Sequence, residues 1–533
     1  MILLLIIVFL PFVFQEMVCP DYQGQLVDPH FPNLDFNDRY LTNNKALFKA
    51  YKFQPMIVML CFENTISVVL EINGHEIPIE VSNRTMNITI TDYVKDSDYN
   101  TFSIQHIRPS NSKITAYVPY PTLTYGTPES VGMSSILLQK VEDLIKSDIN
   151  GSSSKGKIYF PGAALIIVKN GKIVLEKAYG YARKAKDGGE NMEKFQDLKV
   201  NTLFDTASNT KMFATLFSIM KLHSNKRLDY LAQLSKYIPE YRGMDRKGRS
   251  RDNITVYDIL THIAGYQPVY EFYNDEVECP TNTKKATEWC LCNKIDFERD
   301  RGGEPVYSDL DYILAGLMIE HITGQSLQDY TKDSFYTPLQ LNRTTFTPLK
   351  YGFRKEDIAA TEVIGNTRNH TIYFKGIRTY VLQGEVDDGT AYHSMEEISG
   401  HAGLFSTIYE MAILSQVLLN KGGYGNHRFW NKTTQDLFVK PYDLALTYGI
   451  GWRRQGNEEL RWHFGRYGSN KAIGHTGWTG TVTVIDPTHD LSVILLTNKK
   501  HSNFTKGEFE GDTLETGMYG SIMQLIYESF LHV

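Results

Sequence analysis

The sequence lacks the marks of several protein classes. It contains no internal repeat and no low-complexity tract, and its 55 Lys and Arg are dispersed and outnumbered by 61 Asp and Glu, which gives a net charge of −6. It also contains no His-Glu-x-x-His motif, Walker-type loop or dinucleotide fingerprint. These absences exclude collagen, coiled coil and disordered chains, argue against nucleic acid as a partner, and predict no metal and no cofactor.

What the sequence does contain is the composition of a core-forming globular protein, with 42% hydrophobic and 12% aromatic residues. At roughly 100–200 residues per domain, the 533 residues allow about three units, and one large catalytic domain with an appendage fits equally well. We therefore expect at least one domain boundary.

The N-terminus predicts export. Residues 1–14 are apolar apart from Pro11, which is too short for a membrane-spanning helix of about 20 residues but fits a secretory signal peptide, assigned here to residues 1–19. No Lys or Arg precedes this run and no small-x-small cleavage site lies near Cys19, so an uncleaved membrane anchor is the alternative. Glycosylation acceptor sequences support a secreted or lumenal protein and occur at Asn83, Asn87, Asn150, Asn253, Asn342, Asn369, Asn431 and Asn503.

Cysteine is scarce, and three of the five cysteines cluster at Cys279, Cys290 and Cys292. In an oxidising compartment we expect one bridge there, from Cys279 to either Cys290 or Cys292, with the odd cysteine left free. The Cys-x-Cys spacing has no second pair to complete four zinc ligands.

Two regions differ in pattern. Residues 20–123 predict a small β-rich, sandwich-like module, with β-branched apolar runs and a turn at Asn73-Gly74. Residues 124–533 predict a larger domain that opens with a helix capped by Ser134 and a hairpin around Asn170-Gly171. Further apolar segments predict helices over residues 209–223, 309–323, 408–419 and 516–531, and strands over residues 480–485 and 491–496.

This order of elements predicts an α+β fold. One antiparallel sheet is assembled from both ends of the larger domain and flanked by helices, a mostly helical insertion lies between them, and the small β domain precedes the whole.

The first segment with catalytic chemistry is Ser208-Asn209-Thr210-Lys211, an S-x-x-K that places a hydroxyl and an ammonium on one face of a helix. Chance produces the same spacing at Ser110, Ser152, Ser154 and Ser218. Ser208 differs from these because it lies where an apolar segment turns into an apolar-faced helix, whose N-terminus supplies N–H groups and a positive field.

Two further segments follow in order, Tyr307-Ser308-Asp309 before a helix and His475-Thr476-Gly477 before the last strands. Together the three resemble the motifs of the serine β-lactamase and penicillin-binding-protein superfamily, in its class C and D,D-peptidase/esterase branch. The resemblance covers about residues 124–533 and extends to Leu260–Gly265, Gly400–Thr407 and Tyr448–Trp452.

The resemblance implies a role for each motif. Ser208 would be the nucleophile, and either Lys211 or a Tyr307 phenolate held by Lys211 would be its base. The backbone N–H groups of Ser208 and Trp478 would form the oxyanion hole. The strand with His475, Thr476 and Gly477 would line the substrate. We count His475 with the catalytic residues and expect Asp309, Thr476 and Gly477 to bind the substrate.

Two residues depart from the commoner motifs. Asp309 replaces Asn, so a group that can donate becomes a carboxylate that only accepts, or that pairs with Lys211. His475 replaces Lys, so we expect a group titrating near pH ~6.5 instead of a permanent cation, and substrates that need no free carboxylate. We expect His262 and His401, in motif-like loops, to satisfy backbone groups and not to transfer protons.

The sequence therefore predicts a secreted serine hydrolase that forms an acyl-enzyme on Ser208 and cleaves an ester, amide or peptide bond, such as those of cell-wall peptides. A β-lactamase or D,D-carboxypeptidase proper is one alternative, and a catalytically silent binding protein that has kept the fold is another. The expected partners are small ester, amide or peptide substrates, and a membrane only if the N-terminal segment stays uncleaved. The oligomeric state is open.

Overall fold

The computed structural model describes residues 45–152, 157–442, 445–456, 458–505, 507–514 and 518–531. The predicted signal peptide or anchor, residues 1–19, and the start of the predicted β module lie outside these residues. The described chain divides into two compact units, residues 45–119 and residues 120–531. No helix among the described residues is both long and apolar enough to cross a membrane.

The first unit is a pair of antiparallel sheets around one apolar core. Its strands are β1 (Lys45–Ala50), β2 (Ile57–Glu63), β3 (Ser67–Ile72), β4 (His75–Glu80), β5 (Thr85–Thr89), β6 (Ser97–Arg108) and β7 (Lys113–Tyr117). One sheet has the order β1-β6-β3-β4 and the other β5-β2-β7. Asn73 and Gly74 both have positive φ and form the turn between β3 and β4, as the sequence predicts.

The second unit combines strands and helices. Its strands are β8 (Thr124–Tyr125), β9 (Gly162–Lys169), β10 (Lys172–Ala185), β11 (Asn191–Asp197), β12 (Phe204–Asp205), β13 (Thr345–Phe346), β14 (Val363–Asn366), β15 (Leu404–Ser406), β16 (Gly423–Tyr424), β17 (His427–Arg428), β18 (Arg453–Arg454), β19 (Ile473–Thr476), β20 (Thr481–Asp486), β21 (Leu491–Thr497), β22 (Phe504–Thr505) and β23 (Glu508–Phe509). Its helices are α1 (Ser135–Asn150), α2 (Phe217–Ser224), α3 (Val256–Leu260), α4 (Lys284–Asn293), α5 (Asp309–Thr323), α6 (Leu327–Thr331), α7 (Gly389–Ser394), α8 (Ile408–Leu419), α9 (Lys432–Val439), α10 (Arg461–Phe464) and α11 (Met518–Leu531).

The main sheet is built from both ends of this unit. Its order is β11-β10-β9-β21-β20-β19-β18, with antiparallel neighbours, and β8 adds a short parallel pairing to β10. Asn170 and Gly171, both with positive φ, connect β9 to β10. The predicted α+β fold with a sheet assembled from the two ends is confirmed.

Both faces of the sheet are covered, which explains the unbroken apolar run in β9. Ala163, Leu165 and Ile167 face one core, which contains α1 and α11. The alternate residues Ala164, Ile166 and Val168 face a second core, which contains α8 and the helices of the middle segment. A strand buried on both faces has no polar side.

The middle segment carries the helices that position the site. The structure has α5 and α8 at the predicted positions, and Ser134 caps α1 by accepting from the Leu137 N–H. Cys279 forms a disulfide with Cys290, one of the two expected pairings, and Cys292 is a buried free thiol.

Candidate active site

Ser208 lies at the start of a helical segment that follows β12. Ala207, just before it, has φ of +46°, a left-handed conformation that costs an alanine roughly 1–2 kcal/mol. The buried Asp205 holds this turn, because its carboxylate accepts from the N–H groups of Ala207 at 2.8 Å and Asp387 at 2.7 Å. A π-helical stretch over Lys211–Leu216 then leads into α2. The predicted helix is present, but its first turns are not regular α-helix.

The hydroxyl of Ser208 has two polar neighbours from the predicted motifs. Lys211 Nζ lies 3.0 Å from Ser208 Oγ, and Tyr307 Oη donates to the same oxygen at 2.6 Å. Lys211 Nζ also lies 4.8 Å from the centroid of the Tyr307 ring. The structure thus brings the three predicted catalytic side chains together, although Tyr307 lies about a hundred residues after Ser208.

Lys211 is 0% exposed, and three acceptors surround its ammonium. Nζ donates to Ser208 Oγ, to Asp309 Oδ1 at 2.7 Å and to the backbone oxygen of His401 at 3.0 Å. Burial disfavours the ammonium, but the Asp309 carboxylate and Tyr307 outweigh it and raise the pKa of Lys211. Of the two roles open to Asp309, the structure has the one in which it pairs with Lys211.

Tyr307 is half-buried in the site around Ser208. Burial raises the pKa of its phenol, and the positive charges of Lys211 and Arg453 offset this only in part. At neutral pH the resting site therefore contains a charged Lys211 and a neutral Tyr307.

The third motif, at the end of β19, lies next to the turn that carries Ser208. A Cβ on Gly477 would lie 2.5 Å from the backbone oxygen of Thr206 and 3.1 Å from Cβ of Ala207, so only glycine allows this approach. Trp478 follows, with its side chain 47% exposed. Its backbone N–H makes no hydrogen bond with any described residue, as a donor to a substrate oxyanion requires.

The expectation that His475 titrates near pH 6.5 is wrong. Its side chain is buried and its Nδ1 lies 2.7 Å from the backbone oxygen of Thr476. Burial, followed by the charges of Arg453 and Lys211, holds the pKa of His475 well below its usual value. The imidazole is therefore neutral at physiological pH, and its ring centroid lies 5.9 Å from that of Tyr307.

The cation on this side of the site is Arg453, which the motifs did not identify. It lies on the edge strand β18 opposite Gly474, donates to Thr476 Oγ1 at 3.2 Å, and its guanidinium is 5.3 Å from the Tyr307 ring centroid. The one sequence signal was its position directly after the Tyr448–Trp452 segment. Arg453 and Thr476 thus place a cation and a hydroxyl on this side of the site, which the expectation from His475 alone did not include.

The His262 imidazole contacts a backbone N–H and a carboxyl group, whereas the His401 imidazole contacts a carboxyl group and the Ser399 hydroxyl instead of the expected backbone groups. His262 Nδ1 lies 3.0 Å from Asp311 Oδ2, and His401 Nε2 lies 3.0 Å from Asp388 Oδ1. The ligand atoms of Asp309, Asp388 and His401 lie within 4.8 Å of one another, so these side chains could contact a metal ion. The Lys211 ammonium already balances Asp309 there, which favours the ion pair over a metal.

The comparisons with known proteins agree with this arrangement. The sequence profile of the β-lactamase family matches residues 152–511. The chain is 42% identical over 410 residues to an N-acetylmuramyl-L-alanine amidase of Bacillus subtilis (strain 168), covering 75% of this chain and 91% of the amidase. It is 38% identical over 419 residues to a putative D-alanyl-D-alanine carboxypeptidase of Salmonella enteritidis PT4, covering 77% and 95%.

A solved structure resembles the fold. EstCE1, a hydrolase with promiscuous acyltransferase activity, superimposes with a TM-score of 0.54 at 20% identity, over 73% of this chain and all of the other. The family profile spans more than half of the chain, and two relatives are more than one third identical to it over almost their whole length. The protein is a member of the β-lactamase family and a serine hydrolase.

Proposed function

We propose that this protein is an exported amidase that cleaves the amide bond of a muramyl peptide through an acyl-enzyme on Ser208. The observation that carries the proposal is the contact of Ser208 Oγ with both Tyr307 Oη, at 2.6 Å, and Lys211 Nζ, at 3.0 Å. The substrate class rests on the 42% identical relative, whose name states an amidase of N-acetylmuramyl-L-alanine.

The protonation states of the site suggest how Ser208 is activated. As Oγ attacks the carbonyl carbon, its proton passes to Tyr307 Oη while the Tyr307 proton passes to the leaving nitrogen, so the C–N bond breaks without a free base. The Lys211 ammonium, 3.0 Å from Ser208 Oγ, stabilises the negative charge that builds on this oxygen as its proton leaves. Water then attacks the acyl carbon, and the same exchange returns a proton to Ser208.

The carbonyl oxygen becomes an oxyanion during attack. We assign its donors to the backbone N–H groups of Ser208 and Trp478, and loss of one such donor typically costs about 10²–10³ in rate. Gly477 supports this assignment, because its lack of a side chain lets the Trp478 segment approach the turn before Ser208.

A second candidate is a D-alanyl-D-alanine carboxypeptidase, the activity in the name of the 38% identical relative. The observation in its favour is the pair Arg453 and Thr476, which can bind the terminal carboxylate of a peptide beside the nucleophile. In the muramyl amidase this pair would instead bind a carboxylate of the leaving peptide.

Export and glycosylation belong to the same proposal. Among the asparagines of acceptor sequences, Asn431 is half-buried and caps α9, and the others are exposed: Asn83, Asn87, Asn150, Asn253, Asn342, Asn369 and Asn503. The disulfide between Cys279 and Cys290 also fits an oxidising compartment. Treatment with an endoglycosidase tests the glycans by the mass lost.

The test of the chemistry is Ser208→Ala, with Ser218→Ala as the control. Ser218 also precedes a lysine by three residues, but its hydroxyl donates to the Ala214 oxygen inside the helix. A fluorophosphonate probe should add one label to the wild type and to Ser218→Ala, seen by intact mass, and none to Ser208→Ala. Absence of label from the wild type would favour the catalytically silent binding protein.

The substrate is decided by two synthetic compounds. N-acetylmuramyl-L-Ala-D-Glu should release N-acetylmuramic acid, while a pentapeptide ending in D-Ala-D-Ala should release no D-Ala. The opposite result would establish the carboxypeptidase, and hydrolysis of nitrocefin at a comparable rate would point to a β-lactamase.

A further inference from the structure

His262 lies directly behind Tyr307 and contacts the chain on both sides of it. The Val306 N–H donates to the His262 backbone oxygen at 3.0 Å, and the Ser308 N–H donates to His262 Nδ1 at 3.1 Å. The imidazole and phenol ring centroids are 4.9 Å apart. One residue thus holds both neighbours of Tyr307 and packs against its ring.

The backbone of His262 is itself held in an unusual conformation. Its φ is +59°, just after the end of α3, and the next N–H, of Ile263, donates to the Asp258 backbone oxygen at 2.9 Å. A left-handed conformation at a residue other than glycine costs about 1–3 kcal/mol and persists where the surrounding structure requires it. Here that conformation aims both the carbonyl and the ring of His262 at the Tyr307 segment.

Asp311, in the first turn of α5, completes the arrangement. Its Oδ2 lies 3.0 Å from His262 Nδ1, and both side chains are buried. The Ser308 N–H can only donate, so Nδ1 accepts with its lone pair, and the neutral form of the Asp311 carboxyl is favoured beside that lone pair. Burial raises the pKa of Asp311 well above its usual value and lowers that of His262 well below it, in agreement. The pair is neutral and does not transfer charge.

We propose that His262 and Asp311 are positioning residues, which hold Tyr307 Oη at hydrogen-bond distance from Ser208. The inference rests on the proposed role of Tyr307 in proton transfer. This positioning role differs from a proton relay, in which a charged His262 would pass protons. A substitution of His262 should therefore change the position of Tyr307 Oη and not the supply of protons.

The variants follow from this geometry. His262→Asn keeps an acceptor near the Nδ1 position, and Asn tolerates positive φ better than most residues, so it should retain most of the acylation rate. His262→Ala removes the acceptor and the ring, and a misplaced Tyr307 should lower the rate about 10²-fold. Asp311→Asn keeps a donor toward Nδ1 and should be close to wild type.

The experiment measures fluorophosphonate labelling of Ser208 in the full chain, well below each variant's melting temperature. His501→Asn is the control, because His501 is also buried with both ring nitrogens on backbone groups but contacts neither Tyr307 nor its neighbours. It should label at the wild-type rate.

The decisive measurement is the double variant His262→Ala/Tyr307→Phe. If His262 acts through Tyr307, the double variant should label no more slowly than Tyr307→Phe alone. Losses that multiply, or a His262→Ala variant that labels at the wild-type rate, would overturn the positioning role. Loss of labelling in Asp311→Asn would show a charged pair instead. Failure of the proposed Ser208 chemistry gives a different pattern, since the wild type itself would not label. Failure of the amidase assignment alone leaves labelling unchanged and appears only with the two synthetic peptides.

Discussion

The two units of the chain bury different kinds of side chain. Among the described residues of the first unit the core is apolar, and the buried polar residues are few: Lys49, Gln54, Asn100, Ser103 and Ser112. The second unit buries ionisable groups in numbers, and many surround Ser208: Asp205, Lys211, His262, Asp311, Asp387, His401 and His475. Since a buried polar or ionisable group costs free energy unless its partners compensate for the lost water, the comparison indicates that the second unit gives up stability for chemistry.

The comparison predicts that changes near Ser208 remove activity more than stability. After the complete loss expected for Ser208→Ala, the largest effect is expected for Lys211→Met, which should lower the acylation rate about 10²–10⁴-fold because Ser208 Oγ loses the cation that stabilises its negative charge. Lys221→Met is the matched control. Lys221 is partly buried on α2 and donates to the Ser334 oxygen, away from the site. Labelling rates and melting curves of the two variants provide the test, and equal rates would contradict the assignment of Lys211.

Asp309→Asn should have a smaller effect that depends on pH. The carboxylate raises the pKa of Lys211, so its removal leaves burial dominant and that pKa falls. If the ammonium is the active form, the alkaline limb of the rate profile should move to lower pH and the neutral plateau should change little. A faster rate at neutral pH would mean instead that uncharged Lys211 is the base. The profile of kcat/KM against pH decides between these outcomes.

Much of the fold was predictable because local signals mark its elements. Helices α5 and α8 begin after Ser308 and Thr407, and Gly324 ends α5 in a left-handed conformation. The hairpins at Asn73 and Asn170 follow from turn chemistry. The π-helical start of the Ser208 helix was not predictable, since its apolar pattern is also that of an α-helix.

Site residues that belong to a sequence motif could be predicted. Contacts and protonation states that depend on packing by distant segments could not. The three motifs located Ser208, Lys211 and Tyr307, which the structure brings together. Arg453 was missed because an edge strand brings it beside Thr476 from 23 residues away. The neutral state of His475 and the neutral Asp311 beside His262 depend on burial by distant segments, which no local pattern reports.

A third prediction concerns the acid side of the pH profile. The pKa values of His475 and His262 lie well below the usual histidine value. Both imidazoles are therefore already neutral near pH 7 and do not change charge around it. Neither histidine should therefore contribute an inflection to the acylation profile between about pH 6 and 8, where an ordinary histidine of pKa about 6.5 would titrate. An inflection in that range is instead expected from Asp205, whose pKa burial raises to about 7. His475→Gln should keep the same profile as the wild type with a modestly lower rate. An inflection near 6.5 that disappears in this variant would show that His475 does titrate.

The smallest effect is expected from removal of the first unit, since the groups assigned to the chemistry all lie in the second. The chain should begin at Tyr120, because residues 120–125 pair within the second unit. Tyr120 bridges to Gly425, the Pro121 oxygen accepts from Asn420 Nδ2 at 2.8 Å, and β8 pairs with β10. This truncated protein should label at nearly the wild-type rate, whereas one beginning at Gly126 should melt at a lower temperature. A soluble, folded chain from Tyr120 that does not label would show that the N-terminal unit contributes to the active site.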